Sequence, residues 1–208
     1  MLIKINDILN ALDGINIKGA LHIGAHDCQE LPFYINDLKI PKSSIVWIDA
    51  LESKVALGEL NGNKVYHATI TDKDDENITF NVSNNEQSSS VLEFKTHATQ
   101  HPEVNFVKTI IQKTVTIDTF FTRNGLNPSD YDFWNFDIQG AELLALQGAP
   151  NSIKFVKAMY LEVNNDELYK DCALINQIDC FLEYHGFKRV LTKMTGWGWG
   201  DALYVRTN

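Results

Sequence analysis

Acidic, amide and histidine side chains in this 208-residue chain collect where short apolar runs stop. "GALHIGAH" ends in His22, Gly24, Ala25 and His26, and "SIVWIDA" ends in Asp49. "KVYHATI" leads to Thr71 and Asp72, "YDFWNFDIQG" to Asp137 and Gln139, and "YLEVN" carries Glu162 and Asn164. A carboxylate in such a place can accept hydrogen bonds from a diol, stabilise a cation, or take a proton from a nucleophile. Asp49 follows Gly24 by 25 residues, about the separation at which a strand-end acid binds the ribose of a nucleotide-like ligand. The same acid also suits the first turn of the helix that follows it.

The glycine pattern narrows the ligand. Gly24 stands alone: the full G-x-G-x-x-G signature is absent, Cys28 occupies a position where glycine is common, and the loop has no basic residue. A pyrophosphate needs close approach of several glycine backbones, so a dinucleotide fits poorly. A nucleoside with a small amino-acid tail needs less. S-adenosylmethionine meets that description, and its positive sulfonium suits a crevice containing Asp49 and Asp137. Glu30 and His26, at the start of the next segment, are further candidates to touch the cofactor.

Other residues have alternative readings. Ser88, Ser89 and Ser90 suit hydrogen bonding to an acceptor or a flexible polar loop. Trp197 and Trp199, flanking Gly198, suit stacking on a sugar ring or capping a core. His97 and His101 have i, i+4 spacing, yet Pro102 follows directly and no E-x-x pattern lies between them, so no metal site is expected. Glu142, one turn into a helix, reads as a helix N-terminal acid.

The elements that must position these groups alternate. Leu2 to Leu12 has helical periodicity and Gly14 ends it. A strand over 19–23, a helix over 29–38, the strand "SIVWIDA", a helix near 53–60 and the strand "KVYHATI" follow in turn. This β, α, β, α, β order predicts parallel strands with helices on both faces. "NITFNVS" reads as an antiparallel-type strand, 95–103 as irregular, and "QKTVTIDTFF" as a strand entering a short helix. Then come "YDFWNFDI" (strand), "GAELLALQGA" (helix), "IKFVKAMYLEV" (strand) and "ALINQIDCFLEYHG" (helix). "FKRVLT" and "DALYVRT" close the series as strands joined through "GWGWG". The expected fold is a Rossmann-like α/β sheet of seven strands, mostly parallel, with an antiparallel C-terminal hairpin. One domain over 1–208 is expected, with 1–18 a helical extension. In such a sheet, ligands bind beyond the carboxyl ends of the strands, where the polar endings converge.

Bulk properties agree. The formal net charge of −9 argues against a nucleic-acid partner, whose binding draws on clustered Lys and Arg. The three cysteines have neither metal spacing nor an even count, and reduced cytoplasmic thiols are expected. No window approaches the ~18–20 apolar residues of a membrane span, so no membrane partner is expected. A monomer or weak homo-oligomer is the expected state.

The ordered set "LHIGAH", "IVWIDA", "SSS", "TIDTFF", "DFWNFDIQGAELLALQGA", "YLEVN" and "GDALYVR" resembles the FkbM-type family of S-adenosylmethionine-dependent methyltransferases over about Gly19 to Arg206. The strongest piece is similar to the family's D-x-E-G-x-E segment with its leucine-rich helix. The resemblance implies methyl transfer to an oxygen, often of a sugar or glycan. Asp137 is then the first choice for general base and Glu162 the second. His22, Gly24, Ala25, His26, Glu30, Asp49, Thr71, Asp72 and Asp137 would hold the cofactor, and Ser88, Ser89, Ser90, Gln139, Asn164 and Trp199 the acceptor. The chain departs from the family pattern at His22, where relatives carry an acid, at Cys28, and at Gln139, where Glu is usual. Two other functions stay open: an NAD(P)-dependent Rossmann oxidoreductase, and a non-catalytic binding module on a methyltransferase fold.

Overall fold

The computed structural model describes residues 1–207. Strands β1 (Ala20–Ile23), β2 (Ile45–Asp49) and β3 (Val65–His67) precede a short insertion of β4 (Thr69–Ile70), β5 (Asn77–Ser83) and β6 (Phe106–Val115). β7 (Phe133–Phe136), β8 (Ala158–Asn164), β9 (Phe187–Met194) and β10 (Trp199–Arg206) follow. Seven strands form the main sheet in the order β3-β2-β1-β7-β8-β10-β9, and the insertion forms a three-stranded sheet β4-β6-β5. β3, β2, β1, β7 and β8 run parallel, whereas β10 pairs antiparallel with both β8 and β9.

The central strands read as continuous apolar runs because both faces are covered. Alternate side chains part to opposite layers. Leu21, Ile23, Val46 and Ile48 pack with residues of α4 (Ile117–Arg123), α5 (Glu142–Gln147) and α6 (Ile175–Tyr184). Ala20, Ile45 and Trp47 pack with α1 (Ile5–Ala11), with Phe33 and Tyr34, and with Val55 of α2 (Glu52–Leu60). The α1 segment is also tied by its start: the Leu2 amide donates to the Asp201 carboxylate and to Tyr160 Oη.

Several local expectations need correction. The helix expected over 29–38 is a turn followed by a π-helical stretch, Phe33–Asp37, in which the Leu38 amide bonds the Phe33 carbonyl. His26 and Cys28 lie at positive φ (42° and 53°), so the helix cannot start before Gln29, and a single α-type bond, from the Tyr34 amide to the Glu30 carbonyl, precedes the π-helical stretch. "KVYHATI" is two strands rather than one. The Ala68 amide bonds the Asp49 carbonyl, after which the chain leaves the main sheet and pairs with β6. The 95–103 segment contains one helical turn, α3 (His97–Gln100), held by His97 stacking on Phe94. β6 starts at Phe106, six residues before the expected strand, because it has β5 as an antiparallel partner along most of its length. Ile153–Phe155 is a 3-10 turn, and the strand expected there begins at Ala158.

Candidate active site

The carboxyl ends of β1, β2, β7 and β8 open into one cavity of about 470 Å3, within the range of small-ligand sites. His22, Gly24, Ala25, His26, Glu30 and Asp49 line its β1–β2 side. Asp137, Gln139 and Glu162 lie in the middle, and Ser88, Ser89, His97, His101 and Trp199 line the far side. Four expected residues do not border it. Thr71 and Asp72 follow β4 into the small sheet, where the Thr71 hydroxyl donates to the Lys73 carbonyl. Ser90 donates to the Gln139 carbonyl at 2.8 Å and supports that loop from behind. Asn164 is fully buried beside Trp199, its pairing partner across β10, and neither amide atom has a protein partner.

The glycine at the end of β1 serves packing. A Cβ on Gly24, at φ 92°, would meet the Asp137 carbonyl at 1.9 Å, so only glycine lets the loop close over the end of β7. At Cys28 the backbone is left-handed, the conformation glycine favours, and a buried thiol occupies it at some strain.

His22 turns away from the strand end toward the α1 layer. It stacks on Trp47 (4.6 Å between centroids), and its Nδ1 lies 2.8 Å from Tyr34 Oη, which also accepts from Asn135. Burial pushes its pKa down to about 4, with Asp137 opposing the shift. The ring is therefore neutral and held through Nδ1 and Trp47 while it lines the cavity floor.

Asp49 does two jobs. Its Oδ2 accepts from the His26 amide (2.7 Å) and its Oδ1 from the Leu51 amide (2.8 Å), fixing both loops. Burial raises its pKa, and the same amides pull it back. Each oxygen retains a second lone pair toward the cavity side, so loop holding and diol binding are compatible.

The middle of the cavity is a knot of acids around one amide. Gln139, at φ 56°, donates from Nε2 to Asp137 Oδ1 (2.8 Å) and Glu162 Oε2 (3.0 Å), while its Oε1 accepts from the Tyr169 hydroxyl (2.6 Å). Glu142 accepts from the Ile138 and Gly140 amides, as an acid at a helix N-terminus does. Burial raises the pKa of Glu162 well above the carboxylate range, with repulsion from Asp137 and Glu142 adding to it. Burial likewise carries Glu142 up to about 7 and raises Asp137, against the Gln139 hydrogen bond. Asp137 is the member open to the cavity, and its Oδ2 has no hydrogen-bond donor among the described residues.

The serines prove less free than their sequence suggests. Ser89 Oγ accepts from the Ser83 amide and Ser88 Oγ from the Asn85 side chain. Two contributors gave no sequence signal. Lys54, buried on α2, bridges Asp27 (3.0 Å) and Glu86 (2.8 Å) across the cavity mouth. Burial alone would lower its pKa, but hydrogen bonds to those two carboxylates raise it. Tyr169 locks the Gln139 amide. Neither could be found from spacing, because each meets its partner only through the fold.

The residues fit S-adenosylmethionine. Asp137 lines the cavity as a carboxylate whose charge would suit a sulfonium, and Asp49 ends β2, where an acid would accept from a ribose diol. His26 Nε2 is buried without a protein partner on the β1 side, where the amino-acid tail would lie. Among the described residues no group of three His, Cys, Asp or Glu side chains is arranged to hold a metal ion.

A parallel sheet with β10 inserted antiparallel between β8 and β9, and a ligand cavity at the strand ends, is the Rossmann-like fold of class I S-adenosylmethionine-dependent methyltransferases. Solved structures with this fold include Sp1610 of Streptococcus pneumoniae, provisionally described as a tRNA (m1A22) methyltransferase. It has 13% identity and a TM-score of 0.51, over 99% of this chain and 70% of that one. Magnesium protoporphyrin IX methyltransferase of Synechocystis PCC 6803, with bound SAM, has 11% identity and a TM-score of 0.45, over 98% and 78%. No curated protein matches in sequence. The family model for the methyltransferase FkbM domain matches residues 22–189, and the chain belongs to that family.

Proposed function

We propose that the chain methylates a hydroxyl oxygen, with a sugar or glycan as the acceptor class and Asp137 as the general base. The observation that carries this reading is the open Asp137 carboxylate. It has one oxygen fixed by Gln139 and one without a donor, at the strand end where cofactor and acceptor sides meet. When bound, the cofactor supplies an electrophilic methyl group on a positively charged sulfur. Transfer of that methyl group to the hydroxyl oxygen would leave the electron pair of the broken carbon–sulfur bond on sulfur. The hydroxyl proton passes to Asp137 Oδ2. A raised pKa brings Asp137 nearer the operating pH, which favours proton acceptance in the transition state. Glu162, whose carboxyl burial pushes well above the usual carboxylate range, supports the knot and is the weaker candidate for base.

Asp49 and the Gly24–Glu30 loop would hold the cofactor, and Gln139, Ser88, Ser89 and Trp199 would border the acceptor. Gln139 retains the hydrogen bonds of a knot that a third acid would crowd, which favours a working site over a binding module. Three unpaired cysteines favour a reducing compartment, and no described helix is long and apolar enough to cross a membrane. The test is a thermal-shift comparison of S-adenosylmethionine, S-adenosylhomocysteine, NAD and NADP. A ligand at about a hundred times its Kd adds about 2.7 kcal/mol, or about 5–10 °C for a domain of this size. A rise with the two adenosyl sulfur compounds alone is expected; a rise with NAD or NADP instead rejects the reading.

A further inference from the structure

The far side of the cavity has a charge pattern of its own. Its walls carry Glu103 and Asp201 beside His97, His101 and Trp199, and among the described residues no arginine borders any part of the cavity. The single lysine on its wall, Lys54, sits at the mouth between Asp27 and Glu86, so its charge is already matched by two carboxylates. His97 is buried, and both burial and His101 oppose its protonation. Its Nδ1 has no protein partner. Aromatic rings flank it: His101, 5.1 Å away, packs against the exposed Trp197 at 5.6 Å, and the buried Tyr169 lies 5.5 Å behind it.

A site for a phosphate or carboxylate needs Arg, Lys or converging amides to replace the water stripped from the anion. This wall offers the reverse, namely rings and carboxylates, with Asp201 held by the Leu2 amide and the Tyr160 hydroxyl and Glu103 lying 3.7 Å from His101. We propose that the acceptor pocket selects a hydroxyl-bearing ring without an anionic group, neutral or amine-bearing, and rejects phosphorylated and carboxylated counterparts. The neutral ring would stack on the His101–Trp199 side, and an amine would gain from Glu103 as well as from the aromatic faces. Like-charge juxtaposition supplies the rejection. This inference rests on the methyltransferase reading above.

The test uses the full chain and one matched set of probes: a methyl hexoside, its 2-amino, its 6-phosphate and its uronic acid forms. Stabilisation by S-adenosylhomocysteine is measured first, so that loss of the cofactor reading shows separately. Binding to the protein loaded with S-adenosylhomocysteine is then followed by ligand-observed NMR, and transfer from tritiated S-adenosylmethionine by counting. The neutral and amino probes are expected to exceed the phosphate and uronate by at least tenfold, and Glu103→Lys to narrow that gap. Equal or better use of the phosphate or uronate overturns the proposal. So does failure of both the neutral and the amino probe to bind a protein that binds the cofactor product normally.

Discussion

Strand β7 is preceded by a buried acid and followed by one exposed to the cavity, and the two are treated oppositely. Asp132, just before the strand, has Oδ1 on the Lys18 amide (2.7 Å) and Oδ2 at 2.9 Å from the Lys157 ammonium. Asp137, just after it, shares an amide with Glu162, faces Glu142 and Asp201 without a cation, and opens to the cavity. The first acid is matched with charge and donors supplied by the chain itself. The second is left short of them, which is what a site reserved for a cationic ligand and a proton requires. The N-terminal end of the sheet is built for stability and the C-terminal end carries a standing electrostatic cost.

The largest test of that contrast is Asp137→Asn. Methyl transfer should fall by about 10²–10⁴, while affinity for S-adenosylhomocysteine and unfolding free energy stay close to wild type; a fully active variant removes Asp137 as base. Asp132→Ala should do the converse. Leaving Lys157 and the Lys18 amide without their partner should cost about 3 kcal/mol in denaturant unfolding, with cofactor affinity within about twofold. If Asp132→Ala instead abolishes binding in a folded protein, the division between the two ends fails.

Titration sharpens the comparison. His22 is neutral in the folded protein because burial holds its pKa at about 4. Its contribution is full above the unfolded value near 6.5 and is lost as pH falls toward 4. A loss of about 3 kcal/mol is the ceiling for that shift. Melts from pH 7 to 4 should show it, and His22→Gln should flatten the slope. Glu142 runs the other way: its raised folded pKa of about 7 gives stability below pH 4.5 that is lost as pH rises through 7. Glu142→Gln keeps an acceptor for the Ile138 amide and should gain about 1–2 kcal/mol at pH 8 and little at pH 4.5. A variant less stable at pH 8 would show that the carboxylate charge is needed at the helix start.

Much of this was legible in the sequence because it follows from burial on two faces. The apolar runs at 20–23, 45–49, 133–136 and 158–164 mark parallel strands, and their polar endings at Asp49, Asp137 and Glu162 do converge. What escaped depends on partners distant in the chain. His22 sits at a strand end, but the outward alternation of β1 sends it to Tyr34. Thr71 and Asp72 follow an apolar run, yet Ala68 bends that run out of the sheet and away from the cavity. Ser90 and Tyr169 meet Gln139 from separate segments, and no local pattern announces that Lys54 will close on Glu86.

The insertion of β10 between β8 and β9 has a consequence for synthesis. Strands emerge in the order β8, β9, β10, but β9 has no neighbour in the sheet except β10. Until Trp199–Arg206 leaves the ribosome, β8 shows a bare row of backbone donors and acceptors, and β9 has nothing to join. A nascent chain paused in "GWGWG" would therefore expose a sheet edge open to foreign strands. It would also lack the Trp199 and Asp201 wall of its cavity.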